Sequence, residues 1–276
     1  MKNGKKVSVI MGVYNCEKTV AESIESIINQ TYDNWELIIC DDASTDNTCA
    51  IVESYARKHQ GKILFLKNSA NRRLAYSLNR CLEAAKGKYI ARMDGDDISL
   101  PRRLEKQVLF LESHPEYALA GTAMIPFDEN GERKPRGGGG MADKYALRRG
   151  PCFAHATVVM KKEAMDTLNG YTVSPRTQRG QDYDLWFRFF AAGYKGFNMA
   201  EPLYKVRESV SDLKKRTLKS RIYEVQTRLN GFRLLSFPVK YYVFAFKPLI
   251  AGIIPARLMF RYHNSKLCKI SKGVRR

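Results

Sequence analysis

Residues 88–107 of the chain, KYIARMDGDDISLPRRLEKQ, combine an apolar run, three carboxylates within four residues and the start of a helix. The apolar run is typical of a buried strand, and the apolar residues that follow Pro101 recur at helical spacing. Asp94, Asp96 and Asp97 are therefore predicted to lie in the turn between a strand and a helix. In a parallel α/β sheet such turns lie at the carboxyl ends of the strands, where ligands bind. Three crowded carboxylates repel one another, and a divalent cation with oxygen ligands would relieve that repulsion.

Short apolar runs alternate with amphipathic helical patterns through the first half of the chain. The runs have the length of buried strands, and the patterns place apolar residues on one helical face. This alternation predicts an α/β fold, a mostly parallel sheet sandwiched by helices. The predicted strands are residues 7–13, 35–40, 63–66, 89–93, 118–123 and 152–160, with His155 on the last. The predicted helices are residues 20–28, 44–58, 74–85, 101–113, 162–168 and 184–192, with Gly87 terminating the third.

The positive charge of the chain is concentrated at one end. The 276 residues carry a formal net charge of +19. Residues 1–202 hold 29 Lys and Arg against 25 Asp and Glu, whereas residues 203–276 hold 18 against 3. We therefore expect an ordinary α/β domain over residues 1–210 and a basic, partly apolar, helical extension over residues 211–276.

The extension mixes basic and aromatic residues, and its longest uncharged run, residues 248–256, is much shorter than the about 20 apolar residues of a membrane-spanning helix. Two interpretations stay open. The segment could lie in the interface of an anionic membrane leaflet, or it could pack on the domain or on another subunit.

The six cysteines show no metal-binding or disulfide spacing, and the first apolar run lacks the features of a signal peptide. The sequence thus predicts a cytoplasmic protein, peripheral on the inner face of the cell membrane.

Polar groups that an apolar core would not favour occur at three further places. Asp41 and Asp42 end the second predicted strand, His155 lies on a predicted strand, and Asp182 precedes a predicted helix. Together with the carboxylate turn they fit a site for a nucleotide diphosphate and a metal, with Asp182 free to accept a proton. The structural alternatives are helix capping for the Asp41–Asp42 pair and a satisfied core histidine for His155. Asp97 is expected to hold its turn.

Several motifs in the right order resemble the family 2 glycosyltransferases, which are inverting enzymes of the GT-A fold. The resemblance covers about residues 6–210. VSVIMGVYN resembles the opening strand of the family, LIICDDASTDNT its nucleotide-binding segment, AKGKYIARMDGDD its DxD metal motif and LPRRLEKQ the helix that follows. FAHATVVMKKEA and GQDYDLWFRF resemble its later acceptor-side segments.

The resemblance implies roles for individual residues. Asp42 or Asp41 would contact the uracil and ribose of a nucleotide sugar, Asp94 the ribose or the metal, and Asp96 the metal, Mn²⁺ or Mg²⁺. Asp182 matches the catalytic base, which deprotonates the acceptor hydroxyl that attacks the anomeric carbon with inversion. The full implied sets are Val13, Tyr14, Asn15, Asp41, Asp42, Arg73, Asp94 and Gly95 for the nucleotide, Asp94 and Asp96 for the metal, and His155, Gln181 and Arg207 for the acceptor or the diphosphate.

The sequence departs from the family pattern at three of these positions. Gln181 stands where the family usually has Glu. Arg73 stands where the family usually has Gly, either as a phosphate contact or as a solvated side chain. Arg207 stands where many members have His, sometimes a metal ligand, and an arginine there could neutralise the diphosphate directly.

The implied activity is transfer of a hexosyl or N-acetylhexosaminyl group from a nucleotide sugar, expected to be a UDP-sugar, to a glycan or lipid-linked glycan during surface polysaccharide synthesis. Two alternatives belong to other classes. One is a non-catalytic nucleotide-sugar or glycan-binding module. The other is a two-metal nucleic-acid polymerase, which Gly95-Asp96-Asp97 and the basic charge would suggest. A polymerase GDD triplet lies in a β-hairpin, whereas a helix is predicted from Pro101, so we expect no nucleic-acid partner.

Overall fold

A ten-stranded sheet lies at the centre of the residues that the computed structural model describes, which are 5–208 and 217–253. Its strands are β1 (Val7–Val13), β2 (Trp35–Asp41), β3 (Ile63–Lys67), β4 (Tyr89–Asp94), β5 (Ile98–Ser99), β6 (Leu119–Asp128), β7 (Gly131–Glu132), β8 (Gly140–Met141), β9 (Val159–Lys161) and β10 (Gly196–Arg207). The helices are α1 (Val20–Ile28), α2 (Thr48–Lys58), α3 (Leu74–Ala84), α4 (Arg103–Ser113), α5 (Lys162–Thr167), α6 (Gln181–Ala191), α7 (Leu218–Leu234) and α8 (Lys247–Ile253).

The sheet is parallel in its first half and mixed in its second. Strands β3, β2, β1 and β4 lie side by side in that order and run parallel. Strand β9 then pairs antiparallel with both β4 and β6, and β10 runs parallel to β6. The predicted α/β fold is confirmed, and its parallel half carries the predicted polar turns at the carboxyl edge.

Helices cover both faces of the sheet because the strands of its parallel half are apolar on both sides. In β1, Val9 and Met11 face a buried cluster that includes Ile24 of α1. Ile10 between them faces a second cluster, which includes Leu78 of α3 and the buried side of α6. The two clusters fix the sheet between its helical layers.

The segment before β9 differs from its sequence prediction. Residues 152–160 were expected to form a strand that carries His155, but the strand begins only at Val159, and His155–Thr157 form a 3₁₀ turn. The hydroxyl of Thr157 donates to the carbonyl of Ala154 (2.8 Å), which stabilises the local turn in place of an extended ladder. The strand assignment of His155 was therefore wrong.

The third helix also ends differently from the prediction. Helix α3 stops at Ala84, and Ala85 after it is extended, so Gly87 is not the helix terminator that was expected. A Cβ atom on Gly87 would lie 2.6 Å from the backbone nitrogen of Ser8 and 2.7 Å from the carbonyl of Lys6. Gly87 is thus required by close approach of the chain to β1 rather than by a left-handed conformation.

The described part of the predicted extension packs on the domain. A Cβ atom on Gly231 of α7 would lie 2.2 Å from the ring of Phe187 on α6, which shows how closely the two helices approach. Phe232 and Phe237 are buried in the same apolar cluster as α6. The other parts of the predicted extension, residues 211–216 and 254–276, lie outside the described residues. Among the helices that are described, none has the length and apolar character needed to cross a membrane.

Candidate active site

The carboxylate turn lies between the ends of three strands and is fixed by them. Asp94 ends β4, and Gly95 packs so closely on β1 that a Cβ atom there would lie 2.7 Å from Val13. The hydroxyl of Thr19 donates to the carbonyl of Gly95 (2.9 Å). On the other side, the backbone N–H of Arg207 donates to the Asp97 carboxylate (2.8 Å). The turn is therefore positioned by β1 and β10 together.

The turn brings the three carboxylates Asp94, Asp96 and Asp97 close enough to repel one another. Asp97 is buried, and this burial, together with the charges of Asp94 and Asp96, raises its pKa to about 8. Asp96 is exposed and Asp94 is partly exposed, so both can reach a ligand. An accessible pair of carboxylates with a repelled third beside them fits a divalent cation with oxygen ligands. Within residues 5–208 and 217–253, no group of three or more acidic, His or Cys side chains is arranged so that it could hold a metal ion.

A buried arginine lies beneath the turn. Arg92 of β4 is 1% exposed, and its guanidinium forms an ion pair with the Asp94 carboxylate. Its Nε and Nη1 atoms have no hydrogen-bond partner among the described residues. Arg103, also buried, donates to the carbonyl of Arg92 (2.8 Å). Sequence reasoning missed both arginines, although a charged residue inside the apolar run of β4 was a visible signal.

Asp41 and Asp42 hold the loops that follow β2 and β3. The carboxylate of Asp42 accepts hydrogen bonds from the side-chain amide of Asn68 (2.7 Å) and from the backbone N–H groups of Arg72 and Arg73 (both 2.8 Å). The Asp41 carboxylate accepts from the hydroxyl and backbone N–H groups of the Ser44 turn. Both carboxylates thus shape the loops beside the carboxyl edge of the sheet, where the sequence predicted a nucleotide.

Arg73 adopts a backbone conformation that is essentially restricted to glycine. Its φ is 73° and its ψ is 164°, immediately before α3 begins at Leu74. The hydrogen bond from its backbone N–H to Asp42 holds it there. Its side chain is exposed, so no packing requirement explains why a residue with a Cβ atom occupies this position.

Val13, Tyr14 and Asn15, at the end of β1, border the loop that follows β2, and we call this segment the rim of β1. The side-chain oxygen of Asn15 accepts a hydrogen bond from the backbone N–H of Thr45 (2.9 Å), and the backbone N–H of Asn15 donates to Ser44 (3.0 Å). Val13 is buried, whereas Tyr14 is 46% exposed and free to contact a ligand. The exposed ring is the part of this rim that offers a surface to a base or a sugar.

Asp182 lies in the first turn of α6 rather than before the helix, as had been predicted. Burial raises its pKa, the backbone N–H groups of Tyr183 and of Asp182 itself oppose that rise, and the charge of Asp94 adds to it. Asp182 lines a cavity of about 320 Å³ together with His155, Arg179 and Gln181. The structure therefore brings Asp182 within electrostatic range of the carboxylate turn.

His155 lines the same cavity as Asp182 and contacts buried aromatic rings. Its Nε2 atom is 2.8 Å from the hydroxyl of Tyr171, and its ring packs edge-on against Tyr171 and Trp186. Burial and the charge of Arg92 hold the pKa of His155 well below its usual range, so the ring is neutral. A neutral imidazole here can position groups but carries no charge for a phosphate.

Arg207, at the end of β10, braces the carboxylate turn. Its Nε donates to the carbonyl of Asp96 (2.9 Å), and its Nη2 forms an ion pair with Glu22 (2.6 Å). The guanidinium also lies over the ring of Phe127, 4.4 Å from its centre. Arg207 is thus held next to the predicted metal ligand, with part of its charge already compensated.

Residues 8–168 match the protein family described as "Glycosyl transferase family 2". The chain belongs to this family. EpsE of Bacillus subtilis (strain 168), which is named as a glycosyltransferase, is 48% identical over 274 residues, 99% of each chain. WfaP of Escherichia coli, named as a UDP-Glc:α-D-GlcNAc-diphosphoundecaprenol β-1,3-glucosyltransferase, is 29% identical over 208 residues, 72% of this chain and 77% of its own.

The fold of this glycosyltransferase is also that of solved enzymes. Mannosyltransferase PcManGT from Pyrobaculum calidifontis, solved in complex with GDP-Man and Mn²⁺, superimposes with a TM-score of 0.62. The match covers 95% of this chain and 80% of that one at 20% identity, which shows the shared GT-A fold. The family and the fold together confirm the predicted class: the protein is a glycosyltransferase that uses nucleotide-sugar donors.

Proposed function

We propose that this glycosyltransferase transfers a sugar from a UDP-sugar, with a divalent metal and inversion at the anomeric carbon, to a glycan or lipid-linked glycan. One observation carries the proposal. Asp94 and Asp182 are far apart in the chain, yet the charge of the first contributes to raising the pKa of the second. A donor held at the carboxylate turn and a hydroxyl held at Asp182 would therefore lie near each other.

The donor side of the proposed site is the carboxylate turn. Asp96 and Asp94 would hold Mn²⁺ or Mg²⁺, and the charge crowding at Asp97 supports this assignment. When bound, the metal would neutralise the negative charge that develops on the departing diphosphate. Arg207 fixes the turn through the carbonyl of Asp96, and Arg92 fixes the Asp94 carboxylate from below.

The nucleotide would lie between the rim of β1 and the loops that Asp41 and Asp42 hold. The exposed ring of Tyr14 would cover the base, and backbone groups around Asn15 would line the ribose. In this arrangement the carboxylate of Asp42 acts in part through the Arg72–Arg73 loop that it organises.

Asp182 would be the catalytic base. Its carboxylate would accept the proton of the acceptor hydroxyl as that oxygen attacks the anomeric carbon from the side opposite the diphosphate. Burial raises its pKa, which strengthens it as a base provided that it remains ionised at the working pH. Gln181 and neutral His155 line the same cavity and would orient the acceptor.

The acceptor is proposed to be presented at a membrane surface. WfaP is named for a diphosphoundecaprenol-linked acceptor, which supports a lipid-linked substrate. The described extension exposes apolar side chains among lysines: Val239 and Val243 are 86% and 66% exposed, Lys240 lies between them in the sequence, and Lys247 follows. Such a mixture favours the interface of an anionic leaflet. We propose that residues 211–276 attach the domain, residues 1–210, to the cytoplasmic face of the cell membrane.

The donor assignment can be tested by a thermal-shift screen of nucleotide sugars with and without Mn²⁺. We expect stabilisation by one UDP-sugar that requires the metal and is lost in Asp96→Ala. Asp33→Ala, which removes an exposed carboxylate away from the turn, is the control and should bind as the wild type does. Equal stabilisation of Asp96→Ala would contradict the metal assignment, and a preference for GDP-sugars would contradict the UDP assignment.

The membrane assignment can be tested by partitioning onto vesicles that contain phosphatidylglycerol. Val243→Asp should reduce binding, because it places a charge on the exposed apolar surface of the extension. Leu109→Asp makes the same change at an exposed apolar residue of α4 and should leave binding unchanged. Equal binding of both variants and the wild type would contradict attachment through this surface.

A further inference from the structure

A second cavity, of about 470 Å³, lies next to the one that contains Asp182. It is formed by the loop before α3, the segment around the 3₁₀ turn Pro175–Thr177, and the first turns of α7. Gln178, Arg179, Ser220 and Glu224 line both cavities, so a ligand can extend from one into the other. Any acceptor whose hydroxyl reaches Asp182 therefore has room to place a remote part in this second cavity.

The lining of the second cavity is strongly cationic. Arg73, Arg176, Arg179 and Lys219 all contribute to it, against the single carboxylate of Glu224 among its lining residues. Glu224 forms an ion pair with buried Arg228 (2.8 Å), so part of its charge is already compensated. One of the four cations, Arg176, is likewise paired, with Asp184. Among the described residues that line the cavity, the net charge remains positive.

Two of these cations are available to a ligand. The guanidinium groups of Arg73 and Arg179 are exposed, and neither makes a hydrogen bond or an ion pair with another described residue. Arg73 in addition occupies a glycine-type backbone conformation, which destabilises the folded state, and its exposed side chain makes no buried contact that would offset this cost. A side chain kept under such strain, and directed to a cationic cavity, indicates binding of an anion.

We propose that this cavity binds a phosphate or diphosphate group of the acceptor, at the end of the acceptor remote from the attacking hydroxyl. The inference rests on the proposed function, because it takes Asp182 as the site of that hydroxyl. The diphosphate of the donor is assigned to the carboxylate turn and its metal, so it does not require these cations. The guanidinium of Arg73, which the sequence grouped with the nucleotide, is thereby assigned to the acceptor, while the backbone N–H of Arg73 remains part of the loop that Asp42 holds beside the nucleotide. The planar guanidinium group of an arginine can donate two parallel hydrogen bonds to phosphate oxygens, and those of Arg73 and Arg179 line this cavity.

Calorimetric titration of the full chain with decyl diphosphate tests this assignment. The titration is carried out in EDTA and again with saturating UDP and Mn²⁺, which fill the donor site. We expect binding under both conditions, with affinity lowered about ten-fold or more in Arg73→Ala and in Arg179→Ala. Arg57→Ala, an exposed arginine on α2, is the matched control and should bind as the wild type does. Arg73→Gly should lose affinity as Arg73→Ala does while remaining folded.

Three results would overturn the assignment. The first is the absence of decyl diphosphate binding to the wild type, and the second is unchanged binding in both arginine variants. The third is loss of binding when UDP and Mn²⁺ are present, which would identify the cavity as the donor diphosphate site. A separate measurement tests the proposed function itself. Asp182→Asn should still bind decyl diphosphate. If that variant also retained sugar transfer, the assignment of Asp182 as the base would be refuted, while the phosphate site would stand.

Discussion

Replacing Arg73 by glycine is predicted to stabilise the protein. Arg73 has φ 73° and ψ 164°, a region that is essentially restricted to glycine. Holding a residue with a Cβ atom there costs about 1–3 kcal/mol. Glycine removes that cost but gives the unfolded chain more freedom, which lowers stability by about 0.4–1 kcal/mol. With both ranges taken at their middle, the free energy of unfolding is expected to rise by about 1.3 kcal/mol.

The comparison that isolates this strain is between Arg73→Gly and Arg73→Ala. Both remove the guanidinium, but alanine keeps the Cβ atom and therefore the strain. In urea denaturation, the free energy of unfolding of Arg73→Gly should exceed that of both Arg73→Ala and the wild type. In thermal denaturation, its Tm should lie about 1–8 °C above that of the wild type. If Arg73→Gly is no more stable than Arg73→Ala, the backbone at this position is not strained, and the argument that the arginine is retained for a ligand fails.

Two further predictions concern packing and charge around the site. Gly231→Ala should lower the free energy of unfolding by about 1–3 kcal/mol in urea denaturation, because the new methyl group would overlap the ring of Phe187. Gly150→Ala is the control: it has open space around it and should not lower the free energy of unfolding. Equal effects of the two substitutions would refute close packing of α7 on α6. Asp97→Asn should flatten the dependence of stability on pH, measured in EDTA. In the wild type, the pKa of Asp97 in the folded protein is about 8, above the ordinary value of 3.8. The free energy of unfolding of the wild type should therefore fall by up to about 1.4 kcal/mol per pH unit as the pH rises from the lower pKa to the higher one. Parallel pH profiles for wild type and Asp97→Asn would contradict the buried, crowded position of this carboxylate.

The elements that the sequence predicted well are those with strong local periodicity. Strand β1 and the strands beside it are apolar on both faces, and the helices between them carry one apolar stripe, so local pattern alone determines both. The same alternation placed Asp94 and Asp42 correctly at the carboxyl edge of the sheet. Here the local and the global arrangement agree, and the family resemblance added the order of the motifs.

The parts that the sequence did not predict depend on contacts between distant residues. His155 follows an apolar pattern typical of a strand, but a hydroxyl-mediated turn at Thr157 replaces the ladder. Gly87 is typical of a helix terminus, yet its role is set by the backbone of β1. The pairing of Arg92 with Asp94 likewise arises only from the tertiary fold, and so does the specific contact of α7 with α6, although packing of the extension on the domain was one of the two interpretations that the sequence left open. A charged residue in a buried strand is a signal for such a site, but its partner cannot be inferred from spacing.

The roles of the individual site residues remain predictions, and Asp182 is the one on which the mechanism depends. The most direct measurement is transfer of labelled sugar from the UDP-sugar selected by thermal shift to a diphosphate-linked glycolipid, with Mn²⁺, by wild type and by Asp182→Asn. We predict that Asp182→Asn lowers kcat about 10²–10⁴-fold, while the KM for the donor and the melting temperature change little. Transfer by Asp182→Asn at the wild-type rate would contradict the account.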